Sequence, residues 1–209
     1  LGITGGISIL GTSGIVEPMS EKALVDSIRA ETKVWLASGR RYLLTVPGNY
    51  GRDFAAAYPK LESIVPIECS NFIGDTLDMA VELGAAGLLL VGNLGKLVKL
   101  AGGIMNTHSK NADCRMEIMA ANAALAGADI ETVKRLTDCV STDDALEVLE
   151  QVGLRNETVA LLLPKIEYHM NHRTGGKIVC GAVLFSSEYG MLGMTASAPE
   201  LIRDLEAGR

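Results

Sequence analysis

Three lysines, one histidine and several amide and hydroxyl side chains share the run Gly92-Asn93-Leu94-Gly95-Lys96-Leu97-Val98-Lys99-Leu100-Ala101-Gly102-Gly103-Ile104-Met105-Asn106-Thr107-His108-Ser109-Lys110. The thirty residues 83–112 around it hold no aspartate or glutamate, although the formal net charge of the chain is -6. Such a local absence of acid on an acidic protein marks a surface kept ready for an anion. Lys96 and Lys99, three apart, fall on neighbouring faces of one helical turn. Asn106, Thr107, His108 and Lys110 follow a Gly-Gly break that lets them fold over the same place, and Asn93 opens the segment. The competing uses are a solvated face for the two lysines and a locally hydrogen-bonded loop histidine for His108.

Three further segments carry groups suited to a cofactor. In Gly11-Thr12-Ser13-Gly14, glycines allow close backbone approach and free N–H groups can face an anion; the spacing is not G-x-G-x-x-G, and a plain tight turn is the alternative. Pro47-Gly48-Asn49-Tyr50-Gly51-Arg52-Asp53 reads as a turn-rich loop offering an amide, a phenol and a charge pair. Glu68 stands where a carboxylate can accept from ribose hydroxyls. Asn71 and Asp75 follow at a helix start, where capping is their other use. Glu167, His169 and His172 suggest a metal, but no further ligand is evident, and the expectation is no metal. No G-x-S-x-G elbow, Walker A lysine or H-E-x-x-H is present.

The elements that must position these groups alternate. Residues 7–10, 42–46, 64–68 and 88–91 read as strands, the last apolar on both faces as in a central parallel strand. Helices are expected from 18 or 20 to 38, with the stripe Leu24, Val25, Ile28, Thr32, Trp35 and Leu36, and from 71 to 83. Gly39 and Gly84 stop them. Residues 111–172 read as a helical insertion of three or four helices, broken at Gly127-Ala128-Asp129, Ser141-Thr142 and Gly153. Strands at 177–186 and 191–196, split by Ser187-Glu188-Tyr189-Gly190, form an antiparallel hairpin, and a helix completes 177–207. The expectation is one α/β domain over 1–209, Rossmann-like and three-layered, with a mostly parallel sheet. In such a sheet ligands bind beyond the carboxyl ends of the strands.

Composition narrows the function classes. Apolar residues make up 48% and charged residues 21% of 209, enough for a sizeable core. An acidic chain with 4% aromatics lacks both the clustered cations and the stacking platforms of a nucleic-acid binder. The longest strongly apolar run, 83–92, is too short to span a bilayer. No signal peptide is read, and Cys69, Cys114, Cys139 and Cys180 show no C-x-x-C pairing; free buried thiols in the cytoplasm are expected. Because the chain starts at Leu1 rather than Met, it is expected to be part of a longer polypeptide. No feature sets an oligomeric state.

The run Gly2-Ile3-Thr4-Gly5-Gly6-Ile7-Ser8-Ile9-Leu10-Gly11-Thr12-Ser13-Gly14-Ile15-Val16-Glu17-Pro18-Met19-Ser20 resembles the start of the second, larger domain of the CbiD family. Val46-Pro47-Gly48-Asn49-Tyr50-Gly51, Glu68-Cys69-Ser70-Asn71-Phe72-Ile73-Gly74 and the acid-free run resemble that family too, in the same order. The resemblance implies S-adenosylmethionine-dependent methylation of ring carbon C1 of cobalt-precorrin-5B, giving cobalt-precorrin-6A, in anaerobic cobalamin biosynthesis. It implies a corrinoid substrate that brings its own cobalt. It also implies a missing N-terminal domain with an R-T-G-Y-T-T-G-type segment, so that the chain is a fragment of a two-domain enzyme. The cofactor candidates are then Gly11, Thr12, Ser13, Gly14, Gly48, Asn49, Glu68, Asn71 and Asp75. The substrate candidates, facing acetate and propionate carboxylates, are Asn93, Lys96, Lys99, Asn106, Thr107, His108 and Lys110, with Arg115 beside them. Asn93 departs from the family, where His is expected. The catalytic base is not identified, and the alternatives are a non-catalytic tetrapyrrole- or nucleotide-binding domain and a generic Rossmann-like nucleotide enzyme.

Overall fold

The computed structural model describes residues 20–208. The expected strand at 7–10 and its Gly11-Thr12-Ser13-Gly14 turn lie outside the described residues. Five strands form one sheet: β1 (Tyr42–Val46), β2 (Ile67–Glu68), β3 (Gly87–Asn93), β4 (Val179–Ser186) and β5 (Gly190–Met194). Their order is β2-β1-β3-β4-β5. β1 runs parallel to β2 and β3, β3 parallel to β4, and only β5 is antiparallel.

Strand periodicity splits the core in two. Leu43, Leu88, Leu90, Cys180, Ala182 and Leu184 point into one apolar cluster. Leu44, Val46, Leu89, Val91, Val183 and Phe185 point into the other. Each face therefore needs a helical cover, because burying one leucine contributes about 1.5–3 kcal/mol only if water is excluded. α1 (Glu21–Ala37), α3 (Ile73–Glu82) and α8 (Arg155–Thr174) belong to the first face, α2 (Asn49–Ala57) and α9 (Ala198–Glu206) to the second. This is the expected three-layer α/β arrangement.

Local chemistry sets several ends as anticipated. Ser20 caps α1 by accepting from the Ala23 N–H at 3.1 Å, and Gly39 follows the helix at φ +89°. The 111–172 region forms four helices, α5 (Arg115–Leu125), α6 (Ile130–Thr137), α7 (Thr142–Gln151) and α8. Asp129 caps α6, while Ser141 and Asp144 form a capping box on α7. Among the described residues no helix is long and apolar enough to cross a membrane.

Three expectations need correction. The strand expected at 64–68 shrinks to Ile67–Glu68, since Pro66 has no N–H to give the ladder and Val65 is 74% exposed. The turn-rich loop after β1 is the start of helix α2. Gly51 there serves close packing rather than a turn, because a Cβ on it would lie 2.8 Å from the Val91 carbonyl oxygen. Finally, the stretch 111–172 read as a helical insertion ends in a helix that covers the sheet: α8 runs on to Thr174 and packs on β4 and β5.

Candidate functional site

The chain leaves β1 toward the α2 face and leaves β3 toward the opposite face through α4 (Leu94–Leu97) and a 3-10 turn, Val98–Gly102. These neighbouring strands thus part at their carboxyl ends, the place where doubly wound sheets hold ligands. Gly48, at φ +126°, precedes α2 on one side of the crevice. Asn93 caps α4 on the other, its Oδ1 accepting from the Gly95 N–H at 2.8 Å. Lys96 bridges the two sides, its Nζ donating to the Pro47 carbonyl at 2.5 Å.

Three clefts converge on Lys96. One of ≈ 570 Å³ also touches Gly48, Asn49, Asn93, Arg115 and Thr142. A second, of ≈ 400 Å³, runs toward α1 and Glu68. The third, of ≈ 380 Å³, lies by Asn71, Thr107, His108 and Arg115. Partial burial holds the Lys96 ammonium below its ordinary pKa of 10.5, the buried Cys69 thiol opposing and Lys99 reinforcing that effect. Among the described residues, no carboxylate pairs with Lys96. It is a cation with donors to spare, facing open space.

Comparison with known proteins decides the family. A family model described as CbiD, C-terminal domain, matches residues 106–196. A cobalt-precorrin-5B C(1)-methyltransferase of Ruminiclostridium cellulolyticum is 48% identical over 186 residues, 89% of this chain and 48% of the relative. Proteins of the same name from Alkaliphilus metalliredigens (42% identical) and Citrobacter koseri (37%) each align with 99% of this chain and 55% of their own length. The chain belongs to the CbiD family. It spans about half the length of the curated relatives it matches. No solved structure matches it.

Within this CbiD-family chain, several expected site residues turn out to hold the scaffold. Lys99 is the main correction: its side chain is 3% exposed. Its Nζ donates to the carbonyls of Thr107 (3.1 Å) and Ala112 (2.8 Å) and lies 3.7 Å from Asp113. Two of the three donors of this ammonium are thus taken and its charge is met by Asp113, so little of it is open to an outside carboxylate. Asn71 does not cap α3, whose cap position is Phe72 with no side-chain bond. Instead Asn71 accepts from Thr107, through its carbonyl at 3.0 Å and its Oδ1 at 3.2 Å. Asp75 is exposed on α3 and lines none of these three clefts.

The other candidates divide. Glu68 accepts from Arg52 at 2.6 Å, and Arg52 also donates to Asn49 Oδ1 at 3.2 Å. Asn106 Oδ1 accepts from the His108 N–H, and His108 Nδ1 accepts from the Lys110 N–H, each at 3.1 Å. His108 is therefore a locally bonded loop histidine that still borders the third cleft. Lys110 is exposed and pairs with Glu21 of α1, lowering that carboxyl's pKa.

The sequence reading missed the far wall of the ≈ 570 Å³ cleft. Thr142 and Asp143 of α7 and Ser187 after β4 line it. Ser186 locks that wall, donating to Asp143 at 2.6 Å and accepting from the Glu188 and Tyr189 N–H groups. The sequence marks Ser141-Thr142 only as a helix break, and the fold brings that break to the crevice. Of the residues that suggested a metal, Glu167 accepts from the Ser197 N–H, and His172 stacks on Tyr168. All four cysteines are free thiols, but only Cys69 and Cys180 are buried. Burial pushes those two to about 12 and about 11, which makes both poor nucleophiles.

Proposed function

We propose that this chain is the sheet-bearing part of a methyltransferase that adds a methyl group to C1 of cobalt-precorrin-5B, with S-adenosylmethionine as donor. One observation carries the reading: relatives bearing that name align with 89–99% of the chain at 37–48% identity. The half that those relatives have beyond this chain is assigned a share of the site.

The crevice chemistry supports it. Methyl transfer is an in-line displacement: C1 supplies the electron pair of the new bond, the methyl–sulfur bond breaks, and sulfur keeps its pair. Such a step asks the protein chiefly for near-attack alignment. Backbone at Gly48, the amide of Asn49 and the free oxygen of Glu68 suit the donor's hydroxyls and amino-acid end. Lys96, with Asn93, His108 and Arg115 around it, suits the carboxylates that fringe the macrocycle, each contact a charge-assisted or neutral hydrogen bond. The substrate's cobalt is not a ligand requirement on the protein.

Calorimetric titration with S-adenosylmethionine and S-adenosylhomocysteine tests the donor. Saturable binding of both is expected, and binding of neither would remove the methyl-donor assignment. Transfer of a labelled methyl group to a cobalt-precorrin-5B preparation, using this chain with the relatives' additional half supplied, tests the reaction.

A further inference from the structure

We infer that Glu31, on α1, reads the positive charge of the methyl donor, in a cleft separated by charge from the one that takes the macrocycle's carboxylates. This rests on the reading above and assigns a residue outside the segments that sequence reasoning singled out. Leu24, Ser27, Ile28 and Glu31 recur at helical spacing and line the cleft between α1 and β2. One face of α1 is thus its wall.

The charges of α1, of which only Glu31 lines the cleft, are unequal in their freedom. Arg29 of α1 is held by Glu82 at 2.8 Å and Lys22 by Asp26 at 2.8 Å. Across the cleft, one oxygen of Glu68 is taken by Arg52. Glu31 has no ion pair among the described residues, and it shares the cleft with the unpaired ammonium of Lys96. A free carboxylate and a free ammonium in one cleft complement a ligand with positive and negative ends. A sulfonium amino acid is such a ligand.

The cleft by Thr107 and His108 has the opposite character. Lys96, His108 and Arg115 border it, along with the inward-turned Lys99, and no acidic side chain is among the described lining residues. Arg115 spends Nε and Nη2 on Asp113, at 2.6 and 3.0 Å, which leaves Nη1. A polycarboxylate is favoured there, and a cationic donor is repelled. Lys96 stands in the wall common to both clefts.

The test is calorimetry of the 209-residue chain with S-adenosylmethionine and with cobyrinic acid, a cobalt corrinoid with free peripheral carboxylates. Glu31→Gln is expected to weaken the donor about tenfold, one charge-assisted contact, and to leave cobyrinic acid binding unchanged. Glu31→Lys should weaken the donor further. Arg115→Gln should do the reverse, weakening cobyrinic acid alone. Both Glu31 changes lie on an exposed helix face, and an unchanged melting temperature checks folding. If the parent chain binds both ligands and Glu31→Gln spares the donor, or weakens both alike, this inference falls while the functional reading stands. If the parent chain binds neither ligand, the functional reading falls and takes the inference with it.

Discussion

Lys96 and Lys99 lie on one helical turn of the same acid-free segment, yet the fold uses them oppositely. Lys96 ends at the crevice between β1 and β3, with a single backbone carbonyl as partner among the described residues. Lys99 turns inward and is consumed by two carbonyls and Asp113. The contrast bears on the acid-free segment at its two cations, its first third being turn and buried strand β3. A carboxylate near Lys96 would neutralise the cation that faces the clefts. Lys99 already has its acid in Asp113, just beyond the segment, alongside the carbonyls that pin residues 107–112. One compositional signal thus covers a cation spent inside the fold and a cation left open at the crevice.

The largest expected effect tests the buried half of that contrast. Lys99→Met leaves the Thr107 and Ala112 carbonyls without their donor, and a buried unsatisfied polar group costs about 1–3 kcal/mol. A loss of about 2–4 kcal/mol is expected for the pair, read as a lower urea midpoint with unchanged slope. Stability equal to the parent protein would mean that Lys99 is not a strut.

The crevice half predicts a different pattern. Lys96→Met gives up one hydrogen bond, to the Pro47 carbonyl, and should cost about 0.5–1.5 kcal/mol, less than Lys99→Met. It should weaken binding of a polycarboxylate corrinoid about tenfold, with a larger deficit at low salt, where screening is weaker. A variant that unfolded instead would make both lysines structural and erase the comparison.

How much of this was legible follows from what each feature depends on. The strand at 42–46, the ends of α1 and the breaks at Gly127, Ser141 and Gly153 rest on local periodicity and caps, and the sequence carries those. Helix α2 was hidden because Gly48 and Gly51 look like turn residues, while Gly51 is there to let the helix approach Val91. The lysines' fates were hidden because they depend on which carbonyls the 104–113 loop buries. Asn71 likewise reads as a cap until Thr107 is folded against it. The α1 wall of the second cleft is illegible for the same reason: Glu31 gains meaning only from what α1 faces.

Acidity offers a subtler separation. Burial favours the neutral amine of Lys96, so its folded pKa lies below 10.5. Between that lowered value and 10.5 the unfolded chain binds more protons than the folded one, and stability rises with pH across the interval. Anion affinity moves the other way, falling as the amine loses its charge. Corrinoid affinity measured against pH should therefore decline at a lower pH than an ordinary lysine would give, and Lys96→Met should flatten that decline. A parent profile unchanged by the substitution would separate the ligand from Lys96.

The smallest effect belongs to the third lysine of the segment. Lys110 pairs with Glu21 across to α1, but both side chains are more than half exposed. Solvent screens such pairs, and ordering two long side chains offsets much of the attraction. Lys110→Ala should leave the melting temperature nearly unchanged and alter only the hydrogen exchange of amides in residues 106–112, which should quicken slightly. Glu21 sharpens the point: Lys110 depresses its pKa, so whatever the pair contributes is present above the unfolded carboxyl's range and fades as pH falls through the lowered value. If Lys110→Ala matched Lys99→Met in cost, the loop would be held from its surface rather than by a buried ammonium. The distinction between a cation spent inside and one left open at the crevice would then have to be redrawn around α1.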